Sequence, residues 1–423
     1  MSRLRGVRAP AFVIGDGQAP PIFDGGIVLD GAGTILALGP FETVRKAHSG
    51  IHFESVDAVV LPGLVNAHTH LELSALRGQV SGGRGFAGWA EAMLSARDRL
   101  GPERDVEAID AGVGELLRAG TVAVGEVTNT LAAVPALATA PLVGRVFHEV
   151  FGLTRQSGQA MLAEARAARA RMDVSSAVAG WPGNLSYSLS PHTLFTSYPE
   201  LVRELLSEGR SRGARMSLHL CEHAAERAML ADGSGPLGRF FAARGATDLD
   251  FSPPGLGPVA YARALGALAS DVIAVHLTDA RPDELSEVAA VGAPVVLCPR
   301  SNLHIEVRLP PLTDLLAAGL RPGLGTDSLA SVPTLDVLAE AQALRQRFPA
   351  VPPRTLIAMC TGWGAQALGF GELGTLRVGR APGIVTVACG GASPSDPEAF
   401  VLDTRSAERE LIVPAVVKEP LSP

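Results

Sequence analysis

From residue 59 onward, short apolar runs rich in Val, Ile and Leu alternate with stretches of Ala, Leu, Arg and Glu, and this alternation limits the folds open to the chain. The apolar runs are Val59–Ala67, Thr121–Val127, Leu142–Val150, Asn184–Leu189, Met216–Leu220, Val272–Val275, Pro294–Cys298 and Pro322–Gly325. Between them lie helical stretches such as Asp105–Ala119, Gly158–Met172, Pro199–Gly213 and Ala260–Ala269. Eight strands alternating with helices predict an α/β fold of the (β/α)8 TIM-type barrel class. A doubly wound sheet competes, but no Gly-x-Gly-x-x-Gly turn follows an early strand.

Before this region, Ala11–Ile14, Gly26–Leu29 and Thr34–Leu38 look like short strands, with a hairpin signal at Asp30-Gly31-Ala32-Gly33. Strand-like segments return after about residue 372, at Gly374–Gly379, Ile384–Val387 and Leu411–Val417. The expected organisation is a small β-sandwich built from both termini (residues 1–58 and 373–423) beside a catalytic barrel (residues 59–372).

The 423 residues carry a net charge of −7 and no basic cluster, which argues against a nucleic-acid surface. No apolar run approaches the roughly 20 residues that span a bilayer, so no membrane association is expected. Met1–Gly15 has arginines but no signal-peptide core, and a cytoplasmic location is expected. Cys221, Cys298, Cys360 and Cys389 are scattered without a Cys-x-x-Cys pair, so neither a disulfide scaffold nor a zinc ribbon is indicated.

In a barrel, chemistry sits at the carboxyl ends of the strands. The first run ends in His68-Thr69-His70, and side chains two apart on a strand share a face. Two converging imidazoles suit a divalent metal, although the same spacing also suits a pair of hydrogen-bonded loop histidines. The fourth run ends at His192, the fifth carries His219 and then Glu222, the sixth ends at His276, and the eighth runs into Asp327. His148 lies less clearly at a strand end, and His48, His52, His223 and His304 are assigned to surface or loop packing. Three histidines plus Asp327 make a mononuclear site with a position open for water, in which zinc or iron(II) suits the donors. Glu222 is the candidate proton carrier. Strict alternation would turn it away from His219, so the strand must end first; the bland alternative is a carboxylate at a helix start.

Taken in order, Pro62-Gly63-Leu64-Val65-Asn66-Ala67-His68-Thr69-His70, His219-Leu220-Cys221-Glu222, His276, Pro299-Arg300-Ser301-Asn302, Gly325-Thr326-Asp327-Ser328 and Gly374–Gly379 resemble the amidohydrolase superfamily. The similar branch holds metal-dependent deaminases and chlorohydrolases acting on N-heteroaromatic rings. The resemblance implies that His68, His70, His219 and Asp327 are metal ligands and that Asp327 also accepts a proton. It implies that Glu222 protonates a ring nitrogen, that His276 orients the attacking or departing group, and that His192 contacts substrate. Relatives with two metals commonly bridge them with a carboxylated lysine on the fourth strand. The chain's two lysines, Lys46 and Lys418, both lie outside the expected barrel, so one metal per chain is expected, zinc first and iron(II) second.

Only Arg97 and Asp98 stand where related S-adenosylhomocysteine deaminases carry a substrate-binding Glu. His70-Leu71-Glu72-Leu73-Ser74 instead resembles the aminofutalosine deaminases. Glu72, Glu149 and Trp89 join His192 as candidate substrate contacts, with structural ion pairs or hydrogen bonds as the alternative for the two carboxylates. The Gly-rich segment Gly78–Gly88 reads as a cover or a connector. The expectation is a deaminase of an adenine-type ring in a small molecule. Chloride release, cyclic-amide hydrolysis and a non-catalytic binding protein are the alternatives, and a homodimer is left open.

Overall fold

The computed structural model describes residues 4–100, 105–175, 180–244, 250–404 and 408–416. The N-terminal segment forms β1 (Arg5–Phe12), β2 (Ile22–Leu29), β3 (Ile35–Pro40), β4 (Phe53–Ser55) and β5 (Ala58–Pro62). There follow β6 (Leu64–Thr69), β7 (Thr121–Thr128), β8 (Val143–Val150), β9 (Leu185–Pro191), β10 (Met216–Leu220), β11 (Val272–His276), β12 (Val295–Leu297) and β13 (Gly323–Leu324). The C-terminal segment adds β14 (Pro382–Ala388) and β15 (Arg409–Ala415).

The two terminal segments meet in one seven-stranded mixed sheet of order β15-β14-β5-β1-β2-β3, with β4 paired to β1. The unit expected as a β-sandwich is, among the described residues, this single hydrogen-bonded sheet. Its apolar face gathers Val7, Phe12, Ile27, Leu29, Ile35, Val60 and Ile384 into one cluster. At the expected hairpin, Asp30 Oδ1 accepts the N–H groups of Ala32 and Thr34 at 2.9 and 2.8 Å, which closes the turn between β2 and β3.

The run read as one strand, Val59–Ala67, is two. β5 pairs with β1 and β14, whereas β6 pairs with β7. Pro62 has no N–H to continue a ladder, and a Cβ on Gly63 would lie 2.4 Å from Val122. The chain therefore steps at Pro62-Gly63 from one sheet into the next. Gly374–Gly379 is not a strand: Gly374 and Gly379 have φ of +71° and +87°, and the segment turns to bond Ile14 and Ile35 through the N–H groups of Leu376 and Gly379. Val417, the end of the last expected strand, lies outside the described residues.

The central strands form two four-stranded parallel sheets, β6-β7-β8-β9 and β10-β11-β12-β13. Apart from the partly exposed Arg145 on β8 their residues are buried, which explains apolar runs without alternation. The two sheets also touch at both pairs of edges. A parallel bridge joins Thr193, just beyond β9, to His219, and the His219 N–H reaches His192 O at 3.1 Å. Another joins Thr69 to Asp327, where the Asp327 N–H reaches His68 O at 3.0 Å.

One buried ion pair fastens the terminal sheet to this unit. Arg409 at the start of β15 has a fully buried side chain and donates to both Asp336 oxygens at 2.7 and 3.0 Å. Asp336 also accepts the Leu338 N–H at the start of the helix Val337–Arg347. Arg409→Met removes one partner and strands the other, so it is expected to cost about 3–5 kcal/mol in urea unfolding. A loss below about 1 kcal/mol would show that the pair does not hold the two units together.

Candidate active site

β6 delivers His68 and, one residue past its end, His70. The two rings meet edge to face with their Nε2 atoms 3.2 Å apart. His219 on β10 closes the group at 5.0 Å between ring centroids from His68. One donor atom of each of His68, His70 and His219 lies within 4.8 Å of the others. Two nitrogens bound tetrahedrally at zinc distances would be about 3.3 Å apart, so the His68–His70 separation fits shared ligation of one small divalent cation. Burial and the neighbouring imidazoles hold the pKa of His68 well below its ordinary value, leaving it neutral with a free lone pair.

Glu149 on β8 orients the third ring. Its Oε1 lies 3.1 Å from His219 Nδ1. Burial alone would raise the Glu149 carboxyl, but His192 and His219 overcome it and hold the carboxyl down at about 2. The proton is thereby fixed on His219 Nδ1, and Nε2 is the nitrogen left to face the cluster. Asp327, just beyond β13, brings Oδ1 to 3.5 Å from His70 Nε2, while its Oδ2 accepts from Ser301 Oγ at 2.5 Å. Asn66 on β6 bonds Thr326 twice, Nδ2 to Oγ1 at 2.8 Å and Oδ1 from the N–H at 3.1 Å, and so fixes the turn that carries Asp327.

Glu222 faces the same cavity as His219 because the strand ends between them. Cys221 has φ of +50°, which breaks the alternation of β10 and swings Glu222 inward. Its Oε1 lies 3.8 Å from His276 Nε2, and burial pushes its carboxyl up to about 8. Glu222 is thus protonated at neutral pH and able to donate. Asn302 Nδ2 lies 3.3 Å from His276 Nδ1 and donates to it, which places the ring proton on Nε2. That Nε2 is buried and has no partner among the described residues. Of the seven non-glycine residues with positive φ among the described residues, Cys221, His276, Leu277 and Asp327 lie at these strand ends, so backbone strain concentrates around the site.

A cavity of about 800 Å³ opens over these groups. Its polar floor holds His70, His219, Glu222, His276 and Asp327, and much of its wall is apolar, including Phe86, Trp89, Phe151 and Phe195. His192 lines it with Nδ1 bonded to Thr196 Oγ1 at 3.1 Å, and Glu149 and Glu72 also line it. Both Glu72 oxygens are engaged, however, by the Asn129 and Thr130 N–H groups and by Thr130 Oγ1, so its carboxylate ties down the loop after β7.

His148 is a satisfied core histidine bonded to Tyr187 and the Asn129 carbonyl. His223, expected at a surface or in loop packing, is buried. It stacks on Phe86 at 4.4 Å and caps the helix Ala224–Asp232 by accepting the Glu226 N–H. The Gly-rich segment is anchored: Gly83 N–H bonds His304 O at 2.7 Å, and a Cβ on Gly82 would lie 2.0 Å from that carbonyl. It leads into the helix Gly85–Leu100, which brings Phe86 and Trp89 to the cavity. Sequence reasoning missed the roles of Asn302 and Ser301 in orienting ring and carboxylate, although both sat in a quoted motif; for Glu149 the ion-pair alternative is the one this geometry supports.

Proteins similar to this chain are known over nearly its whole length. A relative from Deinococcus radiodurans, an aminodeoxyfutalosine deaminase, is 33% identical over 379 residues, covering 87% of this chain and 85% of its own. A 5-methylthioadenosine/S-adenosylhomocysteine deaminase from Nitratidesulfovibrio vulgaris is 28% identical over 385 residues, covering 88% and 81%. Among solved structures, Helicobacter pylori aminofutalosine deaminase in complex with methylthio-coformycin superimposes with a TM-score of 0.83 at 20% identity, covering 96% of this chain and all of that one. An atrazine chlorohydrolase from Arthrobacter aurescens, complexed with zinc, shares the fold at a TM-score of 0.76 and 20% identity, covering 98% and 97%. The profile of the amidohydrolase family matches residues 59–413. The chain belongs to the amidohydrolase family.

Proposed function

We propose that this amidohydrolase is a hydrolytic deaminase that converts an amino-substituted, adenine-type ring to its oxo form and releases ammonia. One observation carries the reading: Glu222 and His276 line the same cavity as His70, His219 and Asp327, with His68 buried against His70. Residues 59–372 act as a closed (β/α)8 barrel, supported by the bridges at both sheet edges, with the terminal segments as a second unit. His68, His70, His219 and Asp327 would hold a single divalent ion, zinc before iron(II), since imidazole and carboxylate donors suit both and the Arthrobacter neighbour carries zinc. When bound, that ion supplies the Lewis acidity that makes an attacking water acidic near neutral pH.

Everything else falls to the chain. Glu222 donates its proton to the ring nitrogen beside the amino-bearing carbon, which makes that carbon electrophilic. Asp327, held by Ser301, takes a proton from the attacking water as the C–O bond forms. His276 steadies the oxygen through its Nε2–H. The proton on Asp327 passes to the amino group, the C–N bond breaks, and Glu222 recovers a proton from the newly added hydroxyl, which leaves the oxo tautomer. Glu149 keeps His219 in one tautomer throughout, and the aromatic wall excludes water from the ring.

The Deinococcus relative places aminodeoxyfutalosine first among candidate substrates. His192 and Trp89 line the space in which such a ring and its appendage would lie, with Glu72 holding the adjacent loop. Four free and buried cysteines suit a reducing cytoplasm. The test is ammonia release from aminodeoxyfutalosine, 5′-methylthioadenosine, S-adenosylhomocysteine, adenosine, guanine, a pterin and a chlorotriazine. Ammonia from an adenine-bearing nucleoside is expected. Chloride from the triazine with no ammonia from any nucleoside would overturn the reading in favour of a chlorohydrolase.

A further inference from the structure

We infer that Glu226 is the residue that positions Glu222 for proton donation, through the backbone and not through substrate. The inference rests on the reading of Glu222 as the proton donor. The difficulty it resolves is conformational. Leu218 and Leu220 alternate with His219 along β10, and regular alternation would leave Glu222 pointing away from the cavity. The chain avoids this through the left-handed backbone of Cys221, a conformation unfavourable for a residue with a Cβ. Something must hold that turn against relaxation.

Glu226 sits in the first turn of the helix Ala224–Asp232 and is completely buried. Its Oε2 accepts the Glu222 N–H at 3.0 Å. The opposite side of the turn is held by Asp279, whose N–H donates to Cys221 O at 2.8 Å. The other Glu226 oxygen has no partner among the described residues. Glu226 does not line the cavity. A buried carboxyl group with one oxygen unused is a poor choice for stability alone, and its used oxygen is spent on the backbone of the residue that must point inward. His223 completes the clamp: its Nδ1 accepts the Glu226 N–H at 3.1 Å, which fixes the helix start from which Glu226 reaches back.

The test measures steady-state kinetics on whichever nucleoside of the panel gives the fastest ammonia release, with metal content and thermal midpoint recorded for each variant. Glu226→Ala frees the turn and is expected to lower kcat about 10- to 100-fold, the scale of a misplaced catalytic group, with KM within about threefold and metal content unchanged. Glu226→Gln keeps an acceptor oxygen at the same place and is expected to recover most of that loss. In a Glu222→Gln background, adding Glu226→Ala should cost less than about twofold, because the group it positions is already gone. Equal loss from Glu226→Ala in both backgrounds would overturn the inference, as would a KM effect without a kcat effect. If Glu226→Ala does not fold, the same cycle is run with Glu226→Asp, which withdraws the acceptor by one methylene, and an equal loss in both backgrounds overturns it equally. The underlying reading fails separately: there, Glu222→Gln itself would turn over normally.

Discussion

Glu222→Gln is expected to lose about 10²- to 10⁴-fold in kcat while keeping its metal and its fold, the range that removal of a general acid produces. The substitution is nearly isosteric and exchanges one neutral buried group for another, because burial already keeps the wild-type carboxyl protonated. What disappears is a proton that can leave. Amide nitrogen cannot give one up to a ring nitrogen at any working pH. The pH profile gives a second reading with a definite sign. A carboxyl raised to about 8 donates through neutrality and stops as pH rises past that value. The basic limb that this imposes on wild-type turnover should be missing from the residual activity of the variant. Turnover within about threefold of wild type would remove Glu222 from the mechanism.

The second large effect concerns the donor cluster. Treatment with a chelator such as dipicolinate, or His68→Ala, is expected to abolish measurable turnover and lower the thermal midpoint. One equivalent of zinc per chain should restore both in the chelated protein and neither in the variant. A ligand that binds only the folded state stabilises it by RT ln(1 + [L]/Kd), about 4 kcal/mol at a thousand times Kd, so the melting shift stands independently of catalysis. Metal analysis should find about one ion per chain. A value near two would overturn the single-metal reading, which follows from the absence of any lysine between Lys46 and Lys418.

Much of this was legible in order of residues. The buried parallel strands announce themselves as apolar runs because both of their faces are covered, and their carboxyl ends are where His68, His70, His192, His219, His276 and Asp327 fall. The step at Pro62-Gly63 was hidden because an apolar run does not record which sheet each half joins. The turning of Glu222 was hidden because it depends on the sign of one φ at Cys221, and cysteine carries no propensity for the left-handed region. His223 proved to be packed rather than at the surface, and its stacking partner Phe86 was hidden because only tertiary packing brings the two together. Glu72 and Glu149 were read toward substrate, and the structure shows what each also holds: a loop in one case and a histidine tautomer in the other.

The edge contact between Thr69 and Asp327 has a consequence for how the protein is born. Their side chain and backbone meet at 3.0 Å across 258 residues of sequence. Ribosomes extend chains at about 5–20 residues per second, so the His68-Thr69-His70 segment waits roughly 10–50 s for the aspartate that completes its cage. During translation the nascent chain therefore offers a bare pair of imidazoles and no finished pocket. Under the single-ion reading the four donors are complete only once Asp327 has been made, so ion loading is expected late in synthesis, and a chain truncated before Asp327 is expected not to retain the ion.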